Sequence, residues 1–462
     1  MFFLTVGKEI VHNILSFRFV VTYVLLFCLI LMAMFLMTND YQRRLQEFST
    51  ADRKVRENLA ELVKIEDPAE QFQRIRQADF SALRLPTPLS LLALGLEGSL
   101  PTQVSSQSRF FVSSSDDRLG RNVLFDIFQT PDFVYVVNVV MSLLALLFVF
   151  DSVCGEKEQG TLKLLLSNSV PRDSVLLGKW VGGFFSVTAP FAVAVLGGFT
   201  YIYISGAMEM KGGDMARFGL IFVLSLLYIS TFFTLGLMIS TLTHRSATAL
   251  LVSLLVWICW ILVVPNLAPI AARLAAPVPG RQVIEAEKQA IDREVQLLMA
   301  GIGKRKVYGD QEESESIRKD GESKKRKLEE FYQDKMSRQI SYSKNLARLS
   351  PSASYLFAAT RLAGTGPNLF DYFQKALDRF HQGHDEFRQN MSSGVIMEWT
   401  QSGPKVKDPD WFDVENLPRF DMFAESLDDS FDAALFDILL LAVFNVLFFM
   451  LSYTIFIRYD VT

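Results

Sequence analysis

The sequence contains little cysteine and little histidine: three cysteines and four histidines occur in 462 residues. Cys28, Cys154 and Cys259 each lie in or beside a long apolar run. The two large polar segments of the chain therefore contain no cysteine that a disulfide bond could use. A domain formed by those segments must be stabilised by packing alone.

Signatures of nucleotide binding and hydrolysis are also missing. The sequence has no Gly-x-x-x-x-Gly-Lys-Ser/Thr phosphate loop, and Gly301-Ile-Gly-Lys304 is too short to hold a nucleotide. It has neither a Gly-x-Ser-x-Gly elbow nor a His-Glu-x-x-His zinc motif. We therefore predict no catalytic residue and no cofactor in this chain, and any ATP site must come from another chain.

The charge balance excludes a further class of partner. Lysine and arginine total 46, aspartate and glutamate total 50, and the isoelectric point is about 5.8. Nucleic-acid-binding proteins usually carry a basic excess. The slight acidic excess argues against a general nucleic-acid partner.

Hydrophobic residues, in contrast, make up 50% of the chain, and phenylalanine alone occurs 39 times. Apolar runs of about 18 residues or more can cross a hydrocarbon core of about 30 Å. Six runs qualify: Phe19 to Met37, Phe133 to Phe150, Val181 to Ile204, Phe218 to Ile239, Ala247 to Ala272 and Ala433 to Ile457. The composition predicts an all-α membrane protein with six transmembrane helices.

Basic residues in the short loops predict the orientation. With a cytoplasmic N-terminus, the cytoplasmic side has Lys8, Arg18, Lys157, Lys163, Arg172, Lys179, Arg245 and Arg458, and the short outer loop has Lys211 and Arg217. Both termini are then cytoplasmic. The two large segments, 38–132 and 277–432, lie on the other side, where we expect them to form one mainly helical extracytoplasmic domain.

The first large segment contains a predicted helix from Tyr41 to Gln77 and a proline- and serine-rich irregular stretch from Leu85 to Ser115. The second contains apolar residues at helical spacing on both sides of a break from Gly301 to about Asp310. They are Ile284, Ile291, Val295 and Leu298, then Leu328, Tyr332, Met336 and Ile340. This pattern predicts two antiparallel helices. The basic run at 324–327 fits a solvated helix face, a nuclear signal or an anionic-lipid contact.

His381 and His384 form the one cluster in these segments that suggests metal chemistry. Two imidazoles at positions i and i+3, followed by Asp385 and Glu386, can hold a divalent ion on a helix. No third ligand stands at an evident spacing, and Gly383 weakens the helix. Chance pairing on a charged amphipathic helix is the alternative.

Polar residues inside the spans need a separate interpretation because they are costly in lipid. We predict that Asn138 and Asn445 take part in packing between helices. Asp437 is predicted to lie near the outer interface and to face water. A substrate path or a subunit interface is the alternative for all three.

Residues 151–180 form a polar, charged insert between two apolar runs. Leu162, Leu165 and Leu166 give a short helix one apolar edge, and Pro171 requires a break or a new helix start. The pattern predicts a cytoplasmic helical hairpin that continues into the second and third spans. Such an element can transmit a push from a partner protein into the membrane.

The hairpin resembles the cytoplasmic motif of type-2 ABC exporter permeases. The matching residues are Glu156, Glu158, Gly160, Thr161, Leu162, Leu165, Leu166, Pro171, Arg172, Gly178 and Lys179. Residues 1–18 resemble the family's amphipathic interfacial helix, and 241–246 its other cytoplasmic loop. The large insertions depart from the simpler members, although a subgroup has them.

The resemblance implies a permease subunit of an ATP-driven exporter in the bacterial cytoplasmic membrane. It implies two ABC ATPase subunits, which hold the ATP and Mg²⁺, and a second permease subunit. The hairpin would dock on the ATPase, with Glu156 and Arg172 as ion-pairing contacts. Two alternatives remain: a complex that moves its extracytoplasmic domain to act on a partner without cargo, and a membrane-anchored sensor or scaffold.

Overall fold

The computed structural model describes residues 2–65, 67–78, 80–106, 131–167, 171–207, 212–305, 310–394, 397–400, 403–406, 417–423 and 425–459. These residues are almost entirely helical. Their contacts form two compact units, one made of Met1–Leu254 with Ser354–Thr462 and the other of Leu255–Ala353.

Six of the described helices are long and apolar enough to cross a membrane, so the prediction of an all-α protein with six spans is confirmed. The spans, numbered first to sixth, are Phe19–Val63, Phe133–Glu158, Arg172–Ser205, Gly212–Leu242, Ser246–Ala275 and Leu427–Ile457. Two contain π-helical turns, at Val136–Met141 and Cys259–Val263. The fourth span packs against the second and sixth, and the first packs against the third.

The helix of the first span is much longer than its apolar run. It begins at Phe17 and ends at Val63, and a second helix, Pro68–Gln77, follows it. The prediction of a separate helix from Tyr41 to Gln77 is therefore wrong: residues 41–63 belong to the long helix, and Pro68–Gln77 is a helix of its own. No glycine or proline occurs between Phe17 and Pro68, so the helix continues beyond the apolar residues.

Asn138, in the second span, bonds to the fourth span as predicted. The Tyr228 hydroxyl donates to the Asn138 backbone oxygen at 2.8 Å and lies 2.9 Å from its Oδ1. The ring of Tyr228 also stacks on Tyr355, with centroids 4.3 Å apart, and the Tyr355 hydroxyl bonds to Ser225 at 2.9 Å. A helix from the second large insertion, Pro351–Leu362, thus contacts a candidate span.

Replacing Tyr228 with phenylalanine should lower the free energy of unfolding by about 1 kcal/mol, because both bonds to Asn138 are lost within a buried site. Thermal unfolding in detergent measures the change. Tyr203→Phe is the control, since Tyr203 is 71% exposed in the third span. An equal effect of both variants would contradict the prediction.

The other two polar residues differ in outcome. The Asn445 side chain donates to Ser230 Oγ at 2.6 Å, which links the sixth span to the fourth as predicted. Asp437 was predicted to face water, and this was wrong because its exposed fraction is 0%. The sixth span packs closely on the fourth, and Asp437 is fully buried within the protein.

Both large insertions contribute to one core in the first unit, here named the insertion domain (described residues of 67–106 and 363–423). Two short antiparallel strands, Ser81–Leu83 and Gln103–Ser105, pack against the helix Asn368–Gly394. Phe72, Ile75 and Phe80 form a second cluster with Leu417. Strands Met397–Thr400 and Gly403–Val406 also pair. Of the irregular stretch predicted at 85–115, residues 107–115 lie outside the described part.

Close backbone contacts join the two insertions. Gly95 has a φ of 49°, and a Cβ added there would lie 2.3 Å from the Thr365 backbone oxygen. That oxygen accepts from Leu96 N at 2.9 Å, and Thr365 Oγ1 donates to the Ala93 oxygen at 2.8 Å. Glycine at this position permits an approach that any side chain would prevent.

Asp132 connects the insertion domain to the second span. Its carboxylate accepts from Tyr135 N at 2.6 Å, which caps the span, and from Leu94 N at 2.8 Å. Burial raises the pKa of Asp132 to about 7, and the two backbone N–H bonds oppose this shift. A buried side chain thus fixes the start of the span to the domain.

The histidine pair lies in this core. His384 is 2% exposed, its ring stacks on Phe80 at 5.1 Å, and the Phe380 ring meets it edge-on at 4.6 Å. The described residues contain no group of three histidine, cysteine or acidic side chains placed to hold a metal ion. The structure supports a packing role for His384.

In the second unit, the predicted helical pair is present as Arg281–Arg305 and Asp310–Ala347. The first of these helices passes through Gly301, so the break is shorter than predicted. Ion pairs join the helices: Lys288 to Glu329 at 2.6 Å, Lys325 to Asp292 at 2.6 Å and Lys324 to Glu294 at 3.2 Å. The basic run at 324–327 therefore contributes two lysines to the pairing, as expected of a solvated helix face.

Candidate coupling site

Two short helices join the second span to the third. They are Cys154–Glu158 and Thr161–Ser167, here named α3 and α4, in a numbering where α1 is Phe2–Ile14 and α2 is Pro68–Gln77. Gly160 separates α3 from α4 with a φ of 73°, a value that favours glycine. Pro171 is the N-cap residue of the helix that contains the third span.

Helix α3 is fixed to the end of the fourth span and the start of the fifth. Ser240 Oγ accepts from Val153 N at 3.0 Å and from Cys154 N at 3.1 Å. Glu158 Oε2 accepts from Ser246 N and Ser246 Oγ, each at 2.9 Å, so its negative charge lies at the start of the fifth span. Lys157 donates to the Thr241 oxygen at 2.5 Å. The two short loops therefore form one connected structure.

A buried lysine connects α3, the third span and α1. Lys179 Nζ lies 2.8 Å from Glu156 Oε1 and 2.9 Å from Glu9 Oε1. The exposed fractions of the three side chains are 3% for Lys179, 20% for Glu156 and 14% for Glu9. Two carboxylates share one ammonium group away from water, which makes the group sensitive to loss of any member.

Small residues let α1 pack closely along the third span. A Cβ on Gly178 would lie 2.9 Å from Thr5 Cγ2, and one on Gly182 would lie 2.8 Å from Glu9 Cβ. One turn further, Asn13 Nδ2 donates to Ser186 Oγ at 3.4 Å. Contacts advance by four residues on both helices, so the two run in the same direction. The spacing is the small-xxx-small pattern of close helix pairs in membranes.

Arg172 bonds to the end of the sixth span. Its Nη1 donates to the Ile457 oxygen at 2.5 Å and to the Tyr459 oxygen at 3.0 Å. A cation at the carbonyl end of a helix is favourable because the helix dipole is negative there. The sixth span is thereby held to the start of the third.

One side of the hairpin is exposed, while Leu162 anchors the other side with an exposed fraction of 0%. Leu164 is 70% exposed, and Leu165 is half-buried. We name the exposed side the α4 surface; it consists of Gln159, Gly160, Thr161, Lys163, Leu164 and Ser167. The side chain of Leu166 lies outside the described residues.

The structure brings together Glu156 and Lys179 from the predicted hairpin, and the two side chains bond to each other within the chain. Glu156 and Arg172, predicted as contacts to an ATPase, bond to Lys179 and to backbone oxygens of the sixth span. Sequence reasoning missed Glu9, Ser240 and Ser246 as partners. The spacing Gly178-x-x-x-Gly182-x-x-x-Ser186 was a signal for close helix packing that the sequence already contained.

Residues 5–461 match the profile of the family described as ABC-2 family transporter protein. The chain belongs to the ABC-2 transporter family. A similar protein is the probable ABC transporter permease protein NosY of Stutzerimonas stutzeri, which is 33% identical over 128 residues. That alignment covers 27% of this chain and 45% of NosY, so the chain spans less than half the length of this relative.

Membership in the ABC-2 family and the six spans make the chain a multi-pass integral membrane protein of the ABC permease type. The six spans, α1 and the paired short loops are consistent with the resemblance seen in the sequence.

Proposed function

We propose that this ABC-2 permease couples ATP hydrolysis by separate ATPase subunits to the export of a substrate. Two ATPase subunits, which hold the ATP and Mg²⁺, would dock on the α4 surfaces of two permease subunits. The side with the short loops is then cytoplasmic, and the insertion domain lies outside the bacterial inner membrane.

The observation that carries this proposal is that the hairpin has an exposed tip, helix α4, and a fixed base, helix α3. Leu164 is 70% exposed, whereas the adjoining α3 is bound to the fourth and fifth spans through Ser240 and Ser246. Lys179 connects the same base to α1 and the third span. A displacement of α4 therefore reaches several membrane helices at once through short bonds.

Leu164→Asp should reduce permease-stimulated ATP hydrolysis at least about tenfold, because a charge would enter an apolar docking contact. Thermal stability should not change, since the side chain is mostly exposed. Leu164→Met is the matched control and should keep the activity. The measurements are co-purification of the ATPase in mild detergent and its hydrolysis rate; normal coupling in Leu164→Asp would contradict docking at α4.

The topology has its own test. A cysteine at Ser167, which is exposed on α4, should react with an impermeant thiol reagent only from the cytoplasmic side. Exclusive labelling from the outer side would overturn the orientation and, with it, docking at this surface.

Mechanical action without cargo is the second candidate function. The first span continues as one helix to Val63, and its far end packs in the insertion-domain core through Leu59 and Leu62. A rotation of this helix would therefore move the domain. An ATP-driven change in the reactivity of cysteines introduced into the insertion domain, in a complex that exports nothing in reconstituted vesicles, would favour this function.

A further inference from the structure

The first unit contains a cavity of about 470 Å³ that the coupling site does not use. This volume lies within the range of small-molecule sites, about 300–1,000 Å³. Its lining comes from the extension of the first span, the segment 83–89, the start of the fourth span, the segment 361–366, the helix Asn368–Gly394, and residues 420–423 with Glu425. The cavity thus lies where the insertion domain meets the ends of two spans.

Two walls of the cavity differ in chemistry. One wall contains Leu85, Pro86 and Pro88, and Leu85 is 57% exposed. The other contains the rings of Tyr372 and Phe423, whose centroids are 6.4 Å apart with an edge-to-face angle of 61°. An apolar surface and an aromatic surface therefore line the same cavity.

Carboxylates accompany the aromatic wall. Glu425 Oε1 accepts a hydrogen bond from the Tyr372 hydroxyl, with 3.1 Å between the two oxygens. Because the donor is neutral, this bond leaves the negative charge of the carboxylate in place. Burial and the nearby Glu425 charge raise the pKa of Tyr372, so the phenol stays protonated and remains the donor. Asp421 is exposed in the same segment and also lines the cavity.

The arginines of the lining are engaged in holding the walls. Arg217 donates to the Leu362 oxygen at 3.1 Å and to the Glu425 backbone oxygen at 2.5 Å. Arg361 donates to the Ala433 oxygen. Arg84 is buried and pairs with Glu97 at 2.8 Å. Glu97 balances the charge of Arg84, while Arg217 and Arg361 keep theirs at the lining. Three carboxylates line the same space, those of Asp214, Asp421 and Glu425, so the lining has one negative charge more than these two arginines balance.

We propose that this cavity binds a lipophilic organic cation. Aromatic faces attract cations through their quadrupoles, and carboxylates attract them through charge. The apolar wall of Leu85, Pro86 and Pro88 removes the ligand's hydrocarbon from water. The proposal goes beyond the coupling of ATP hydrolysis, because this binding needs neither an ATPase nor transport.

Two ions of nearly the same shape and opposite charge provide the test. The purified full chain in nanodiscs is titrated with tetraphenylphosphonium and, separately, with tetraphenylborate, and binding to empty nanodiscs is subtracted. We expect saturable binding of tetraphenylphosphonium at least about tenfold tighter than that of tetraphenylborate. Equal binding of the two ions, tighter binding of the borate, or no saturable binding of the phosphonium would overturn the proposal.

Three variants locate the binding. Glu425→Gln keeps an acceptor for Tyr372 and should weaken phosphonium binding about tenfold, and Leu85→Trp should abolish it by filling the cavity from the apolar wall. Asp428→Asn, an exposed acid outside the lining, should have no effect. Only variants whose thermal stability equals that of the wild type are compared. Wild-type affinity in both Glu425→Gln and Leu85→Trp would place the ligand elsewhere and refute the site.

Discussion

Lys179→Met should destabilise the protein by about 3–5 kcal/mol, the usual cost of leaving buried charges unpaired. The change removes the ammonium group shared by Glu9 and Glu156, whose side chains are 14% and 20% exposed. The hydrolysis rate of the bound ATPase should also fall, since α3, α1 and the third span lose their common bond. Thermal unfolding and the stimulated hydrolysis rate in detergent measure the two effects.

A triple variant separates charge pairing from packing. In Lys179→Met with Glu9→Gln and Glu156→Gln, no buried charge remains, and most of the lost stability should return because neutral replacement of a whole buried ion group costs little. Coupling should remain impaired if the ionic link itself transmits movement. Full stability of the single Lys179→Met variant would show that the group is not a structural connection.

Gly95→Ala should lower the free energy of unfolding of the insertion domain by about 2–5 kcal/mol. The left-handed backbone at Gly95 costs about 1–2 kcal/mol with a side chain, and overpacking adds about 1–3 kcal/mol. The clash is with the backbone oxygen of Thr365, which cannot rotate away as a side chain would. Hydrogen exchange of the amides of Leu96 and Thr365 should therefore increase.

Gly98→Ala is the control from the same loop. A Cβ at Gly98 would meet Leu94 Cδ2 at 3.2 Å, the end of a flexible side chain, and the position has no left-handed φ. This change should have an effect below about 1 kcal/mol. Similar losses in both variants would mean that the contact between the two insertions does not depend on Gly95.

Periodicity and apolar length were sufficient to predict the membrane part of the fold. Six runs of the required length gave six helices, because a membrane span has to satisfy all its backbone bonds internally. The helical pair of the second unit was equally readable, since its apolar residues recur at helical spacing. The ends of helices were harder to predict from the sequence, as the continuation of the first span's helix to Val63 shows.

Contacts between residues far apart in the chain were not predictable in this way. Nothing near Glu156 in the sequence indicates Glu9, which reaches Lys179 only after α1 packs on the third span. The same is true of Asp437, whose burial depends on how the sixth span packs against other parts of the chain. The docking residues were predicted by resemblance, and the structure separates those that face outward, such as Thr161, from those that hold the hairpin in place.

The unbroken helix from Phe17 to Val63 has 47 residues and is therefore about 70 Å long. A rod of that length turns small angles into large displacements: a tilt of about 5° at one end shifts the other by about 6 Å. Its far end packs in the insertion-domain core through Leu59 and Leu62. The first span thus extends into the insertion domain as one continuous rod, and a proline substituted in its middle would kink the rod and weaken the mechanical connection between its two ends.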